Sequence, residues 1–301
     1  MAVGESALGH SSIVVDPFTV EEYGIAKDAE IHVCHTHIPD IVDRKKAKVV
    51  WIGHGTPEHC FQNSVAAGLS GGYAPGDSWM VVTNWLRLCD AAVTFWPRHR
   101  EIWQSLCPKK GIQVDLVPLG IDRELWQPVE TRGKFAGTPS VFTAENCHYI
   151  KWPLDLVIMW PWIVDQLPEA RLHLSYLPRD QHKFWYPLMN NNGSSFKAYI
   201  NDGVYTPPDL RNAFVSTDYY CGLVRYGDFN KIALEAASSG SKVISYTGNP
   251  YATYWINEGD QRSMTLEMME ILTGKREPRV PDEIPTIAEM TAAMVKIYET
   301  L

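Results

Sequence analysis

Glu235 is the residue in this chain whose chemistry most needs a reason. It lies in the stretch from Ser216 to Asn249, among alanines on a helical pattern, with no basic residue four positions later to pair it. An apolar segment, Tyr219 to Val224, breaks at Arg225-Tyr226-Gly227-Asp228. A helical pattern then buries Ile232, Ala233, Leu234, Ala236 and Ala237, stops at Gly240 and gives way to a second apolar segment, Lys242 to Tyr246. Strand, turn, helix and strand in this order form the unit that builds parallel sheets. Its polar residues sit at the carboxyl end of a strand and in the first turn of the next helix, where such units bind ligands. The helix N-terminus near Phe229-Asn230-Lys231 turns backbone N–H groups toward an anion.

A second set of polar groups comes earlier. The apolar run Val49 to Ile52 ends in Gly53-His54-Gly55-Thr56-Pro57-Glu58-His59, and the glycines leave the His54 imidazole uncovered at a strand end. Ile31 to His35 is another strand, followed by Thr36-His37. His35, His37, His54 and His59 could ligate a metal in a hydrolase, because His-x-His at a strand end suits one. Against that, no acidic residue with ligand-like spacing completes the set in the second half. Each polar position also has a structural use. His54 could be satisfied by backbone groups, Asp228 could cap the following helix, and Trp152, Trp160 and Trp162 read as packing residues.

The elements that must hold these groups alternate along the whole chain. After Ile31–His35 and Val49–Ile52 come a glycine-rich loop from Ala66 to Asp77 and a helix from Ser78 to Leu88. Strand Ala91–Phe95, a helix opened by Pro97 and strand Ile112–Val117 follow. Pro118 to Asp122 opens an irregular stretch that marks a domain boundary. A second series then runs through strand Ser140–Ala144, helix Leu154–Leu167, strand Arg171–Tyr176, helix Asp180–Met189, strand Phe196–Ile200 and helix Pro208–Val215 to the unit around Glu235. Helical segments are expected near 251–258 and 262–273, and a last helix over Thr286–Tyr298 after the prolines at 278, 281 and 285. The expectation is an α/β chain with two Rossmann-like parallel-sheet domains facing across a cleft.

Composition limits the partners. With 35 acidic against 27 basic residues the net charge is −8, so nucleic acid is not expected as a general partner. The six cysteines (34, 60, 89, 107, 147 and 221) have neither metal nor redox spacing, which fits reduced thiols in a cytoplasm. No signal peptide or membrane-spanning run is visible. Arg44, Lys45, Lys46 and Lys48 cluster on a turn, which is read as a solvated edge, with peripheral membrane contact as the second use.

Four segments, in order, resemble the retaining glycosyltransferases of the GT-B fold, family four in the usual classification. Val117-Pro118-Leu119-Gly120-Ile121-Asp122, with Leu125 and Pro128, is similar to the interdomain "PNGVD…F.P" stretch. Lys151-Trp152-Pro153-Leu154-Asp155-Leu156 is similar to "KG.d.Li", and Asp218 to Tyr246 to "aDv.v.PS..EgFGlv.lEAmacG.PVi". His35-Thr36-His37 and Gly53-His54-Gly55 look like the paired strand-end histidine segments. The likeness covers roughly residues 8 to 255.

The resemblance implies an acceptor-side domain over 1–119, a nucleotide-sugar-binding domain over 120–285, and a helix over 286–301 that packs back on the first domain. It implies transfer of a hexose-type sugar from a nucleoside-diphosphate sugar to an acceptor hydroxyl, with retention of configuration, no cofactor and no obligatory metal. Glu235 matches the glutamate that binds the donor ribose, Lys151 the basic group on the pyrophosphate, and His54 the histidine near the transferred sugar. Asp228 stands beside the position of the first signature glutamate, and Gly227, Phe229, Asn230 and Lys231 complete the donor loop. These roles suit the residue types. A carboxylate accepts two ribose hydroxyls, a lysine offers a compact charge with three donors, and a histidine hydrogen-bonds a sugar hydroxyl without being a nucleophile.

Three positions depart from the family pattern. Gly227 stands where the family places its first glutamate, and Glu145 and Asn146 stand where it places an arginine before the lysine. Losing such a phosphate contact costs on the order of 2–4 kcal/mol of transition-state stabilisation. Leu8-Gly9-His10 is similar to the end of the family's first helix, so the first βα unit and its glycine-rich loop are expected to be missing. A nucleotide-sugar-binding protein without transfer activity is therefore the main alternative, ahead of the His-ligated metallohydrolase.

Overall fold

The structure, a computed structural model, describes residues 5, 8–12, 29–35, 38, 42–54, 86–107, 111–131, 133–144, 154–175, 197–200, 205–224 and 231–301. In chain order its elements begin with β1 (Ile31–His35), β2 (Lys48–Gly53), β3 (Ala91–Thr94), α1 (Pro97–Leu106), β4 (Val114–Leu116), β5 (Ser140–Thr143) and α2 (Leu154–Gln166). They continue with β6 (Arg171–Leu174), β7 (Ala198–Ile200), α3 (Pro207–Ser216), β8 (Tyr219–Gly222), α4 (Lys231–Ser238), β9 (Val243–Tyr246), β10 (Tyr254–Ile256), α5 (Gln261–Leu272) and α6 (Ile287–Tyr298). The chain divides into two compact units, Met1–Gly120 with Pro285–Leu301, and Ile121–Ile284.

In the first unit β1 to β4 form a parallel sheet in sequence order. Val49, Val50, Trp51 and Ile52 are all buried, as befits a strand covered on both faces. Trp51 meets Trp103 of α1 edge to face, with ring centres 5.2 Å apart, and this pair anchors a core that includes Cys34, Leu86, Ala92 and Val114. Burial pushes the Cys34 thiol up to about 11, so it stays protonated. Helix α6 opens with a capping box between Thr286 and Glu289. Its cap lies against Gly120, where a Cβ would stand 2.2 Å from the Thr286 carbonyl oxygen. The glycine of the Pro118–Asp122 stretch is thus fixed by a close backbone approach. At the other end of α6, the Tyr298 hydroxyl donates to buried Glu5 at 2.9 Å.

In the second unit six parallel strands run in the order β10-β9-β8-β5-β6-β7. Numbered within the unit from β7, this is 3-2-1-4-5-6, the dinucleotide-binding order, with its switch point between β5 and β8. Every residue of β5, β8 and β9 is buried. Helix α3 is capped by Thr206 with Pro207 at its first position. Helix α4 ends at Gly240, whose φ of +87° and the bonds Gly240 N–H to Ala237 and Ser241 N–H to Ala236 make a Schellman motif.

The expected helix near 251–258 does not form. Tyr254, Trp255 and Ile256 instead make the edge strand β10 beside β9, with Tyr254 and Ile256 inward and Trp255 half-buried. An aromatic and β-branched triplet with period two wins over helical spacing there. Trp160 is buried in the core as expected of a packing residue, but Trp162, on the opposite side of α2, is 71% exposed. Residues 78–85 of the expected helix over 78–88 and the expected helix over 180–189 lie outside the described residues, and residues 86–88 are helical.

Candidate functional site

The carboxyl edge of the second sheet is where its topology creates a ligand crevice, and the described groups there are specific. Strand β8 ends at Gly222, where a Cβ would press on the Tyr220 ring at 3.1 Å. The hydroxyl of Thr143, at the end of neighbouring β5, is buried and has no partner among the described residues. Beyond β8 the chain enters α4 at Lys231, and Glu235 is buried on the next turn among Ala233, Leu234 and Ala236.

Lys231 Nζ lies 3.3 Å from Glu235 Oε1, with the lysine side chain 58% exposed and the glutamate side chain 8%. The sequence offered no base four positions after Glu235, and the partner stands four positions before it. Burial raises the pKa of Glu235 and the Lys231 charge works against that rise. The pair sets a buried carboxyl group beside an exposed cation.

A second carboxylate at this edge escaped the reading of single residues. Asp155, in the first turn of α2, is buried and accepts hydrogen bonds from the Tyr246 hydroxyl and from Gln261 Nε2, the latter at 2.6 Å. Those three residues tie the start of α2 to the end of β9 and the start of α5. The only sequence signal was the place of Asp155 in the Lys151–Leu156 segment. Nearby Asn249 accepts from Tyr251 N–H at 3.0 Å and receives the Trp255 indole N–H on its carbonyl at 2.7 Å, while its Nδ2 has no partner among the described residues. The remaining donor-side residues, Lys151, Gly227, Asp228, Phe229 and Asn230, lie outside the described residues.

In the first unit the structure brings His35 and His54 together. Their strands are adjacent, with His35 in register with Ile52, and His35 Nδ1 is 2.7 Å from His54 Nε2. His54 also leans on Phe95, ring centres 5.7 Å apart. Burial lowers the pKa of His35, favouring its neutral form. His37 and His59 lie outside the described residues, and among the described ones no three His, Cys, Asp or Glu side chains form a metal-ligand group. Within the basic turn, Arg44 pairs with Asp90 at 3.5 Å and Lys46 with Asp43 at 3.6 Å. No helix among the described residues is long and apolar enough to cross a membrane.

No family model matches the chain, and no curated protein matches it in sequence. Solved structures do. Sucrose-phosphate synthase from Thermosynechococcus elongatus superposes over 93% of this chain and 76% of its own, with TM-score 0.64 and 13% identity. The pneumococcal O-GlcNAc transferase solved with UDP and GlcNAc covers 91% of this chain and 54% of its own, with TM-score 0.60 and 13% identity. A UDP-forming trehalose-phosphate synthase from Burkholderia xenovorans covers 93% and 71%, with TM-score 0.59 and 11% identity. The chain thus spans little more than half of the pneumococcal transferase. These neighbours are GT-B glycosyltransferases. On its architecture, the chain has the GT-B fold, with two Rossmann-like α/β units.

Proposed function

We propose that this protein transfers a hexose-type sugar from a nucleoside-diphosphate sugar to an acceptor hydroxyl, with retention of configuration at the sugar. The observation that carries the reading is Glu235, a buried carboxylate on the helix that follows β8 at the switch point of a 3-2-1-4-5-6 sheet. Its described partner is Lys231, and its two oxygens match ribose hydroxyls.

In this reading Glu235 binds the ribose, and Lys231 keeps it ionised until the nucleotide arrives. Lys151 and the N–H groups of the donor loop, Gly227 through Asn230, stabilise the charge that gathers on the departing diphosphate. Asp228 takes the sugar-hydroxyl contact that the first signature glutamate makes in the family, and His54 bonds the transferred sugar. The bond from the anomeric carbon to the diphosphate oxygen breaks as one to the acceptor oxygen forms. The products are the glycoside, the nucleoside diphosphate and the proton of the acceptor hydroxyl. The lysine and the helix N–H groups supply the positive charge this needs, so no metal is assigned a role. UDP-sugars come first, because UDP appears with the pneumococcal and Burkholderia neighbours. The free thiols Cys34 and Cys107 support a reducing, cytoplasmic setting, and the exposed Lys45 and Lys48 of the basic turn are assigned to any peripheral contact with a membrane.

The test is to incubate the purified chain with UDP-, GDP- and ADP-sugars and a panel of hydroxyl acceptors while following nucleoside-diphosphate release. Acceptor-dependent release from one donor class is expected. Tight donor binding with no release on any acceptor would instead support the binding protein without turnover, which the Gly227, Glu145 and Asn146 departures favour.

A further inference from the structure

The contact between His35 and His54 is of a specific kind. The ring centres are 4.9 Å apart and the ring planes differ by 19°. In a face-to-face stack the planes stand a van der Waals contact apart, roughly 3.5 Å, too far for ring nitrogens separated by 2.7 Å. Nearly coplanar rings joined edge to edge satisfy all three values, since the centre separation then equals one hydrogen bond plus two ring radii. His35 Nδ1 and His54 Nε2 therefore share one N–H···N hydrogen bond. Such a bond holds one proton between the nitrogens, so the protonated nitrogen of one ring decides that of the other, and the plane in which the His54 ring lies is set.

The backbone supports the same arrangement. β1 and β2 are paired in parallel, so His35 and the end of β2 leave the sheet side by side. Gly53 precedes His54, and a Cβ there would stand 2.9 Å from the Trp51 ring and 3.2 Å from Trp103 Nε1. The chain is thus held against two core indoles one residue before the imidazole. Phe95, just past the end of β3, backs the His54 ring on another side.

We propose that His35 is a positioning residue for His54, holding its imidazole in one tautomer and one plane through the Nδ1–Nε2 bond. The role in transfer rests on the reading of His54 as the sugar-side histidine, whereas the tautomer is a property of the protein alone.

The experiment is a long-range ¹H–¹⁵N imidazole spectrum of the full chain at pH 7.5 for wild type, His35→Asn and His35→Phe, with His54→Gln to assign the signals, alongside kcat and KM for donor turnover. The bonding atom of His35 is Nδ1, a position that an asparagine amide reaches. Wild type is expected to show His54 as a single tautomer, His35→Asn to keep it, and His35→Phe to show two tautomers in exchange. In turnover, His35→Phe is expected to lose about ten- to a hundredfold in kcat with KM nearly unchanged, and His35→Asn to recover most of that loss. An averaged His54 in wild type, or a His54 signal unaffected in His35→Phe, would overturn the proposal. So would an unchanged kcat once the tautomer is lost. If His35→Phe does not fold, the wild-type and His35→Asn spectra still decide. A protein that shows the fixed tautomer but turns over no sugar nucleotide would retain the hydrogen bond and lose the functional reading instead.

Discussion

Lys231 and Glu235 stand one helical turn apart on α4, Nζ to Oε1 at 3.3 Å, one side chain largely in solvent and the other buried. The arrangement places a carboxyl group where charge is disfavoured and sets a cation against that effect, and it gives Glu235 a dependence on pH that a surface glutamate lacks.

Burial raises the pKa of Glu235 above the unfolded value, with Lys231 opposing the rise. A group raised in this way contributes its full stability below the ordinary carboxylate range and loses it as pH climbs through the folded value. Glu235→Gln should therefore melt at or above the wild-type temperature at pH 7, and the difference should shrink toward pH 4. Thermal melts across that range check it. A variant that is less stable at pH 7 than at pH 4, relative to wild type, would show that the charged form is favoured in the fold.

His54→Ala should lower turnover by about a hundredfold while leaving nucleotide affinity nearly unchanged, since its proposed contact is with the transferred sugar and not the nucleotide. Steady-state rates beside calorimetric nucleotide titrations separate the two effects. A matched loss in nucleotide affinity would move His54 out of that role.

Gly120 carries no side chain because the Thr286 carbonyl occupies the space a Cβ would fill, 2.2 Å away. Gly120→Ala must displace the cap of α6 and should cost about 1–3 kcal/mol, read as a lower urea midpoint. Wild-type stability in Gly120→Ala would mean that the approach is looser than described.

Asp155 binds α2, β9 and α5 together through Tyr246 and Gln261. Asp155→Ala removes the carboxylate that accepts from the buried Tyr246 hydroxyl and the half-buried Gln261 amide, at about 1–3 kcal/mol, and Tyr246→Phe should cost about 1 kcal/mol. Equilibrium unfolding measures both, and the expected order is Asp155→Ala well below Tyr246→Phe.

The parts of this molecule that the sequence displays are those governed by neighbours in the chain. Largely apolar segments such as Tyr219–Gly222 and Val243–Tyr246 become central parallel strands. Gly240 ends α4 where expected, and α6 starts at Ile287, capped by Thr286, one residue after the expected start. The expectation failed where a short segment is decided by a distant partner. Tyr254–Ile256 pairs with β9 because that sheet edge was open to it, which spacing within the segment could not reveal. For the same reason the bond between His35 and His54, 19 residues apart, and the tie between Asp155 and Gln261, 106 apart, leave no local pattern. Glu235 stood out as an unexplained acid, but attention to the position four residues later missed the lysine four residues earlier.

The central claim is that the second unit binds a nucleoside diphosphate through Glu235. Calorimetric titration of UDP, GDP and ADP into wild type and Glu235→Ala at pH 7.5 tests it most directly. One nucleotide is expected to bind wild type at least about tenfold more tightly than the variant, since two hydroxyl bonds to a carboxylate are worth about 1.5 kcal/mol or more. Equal affinities for both proteins, or no binding of any of the three to wild type, would contradict the account.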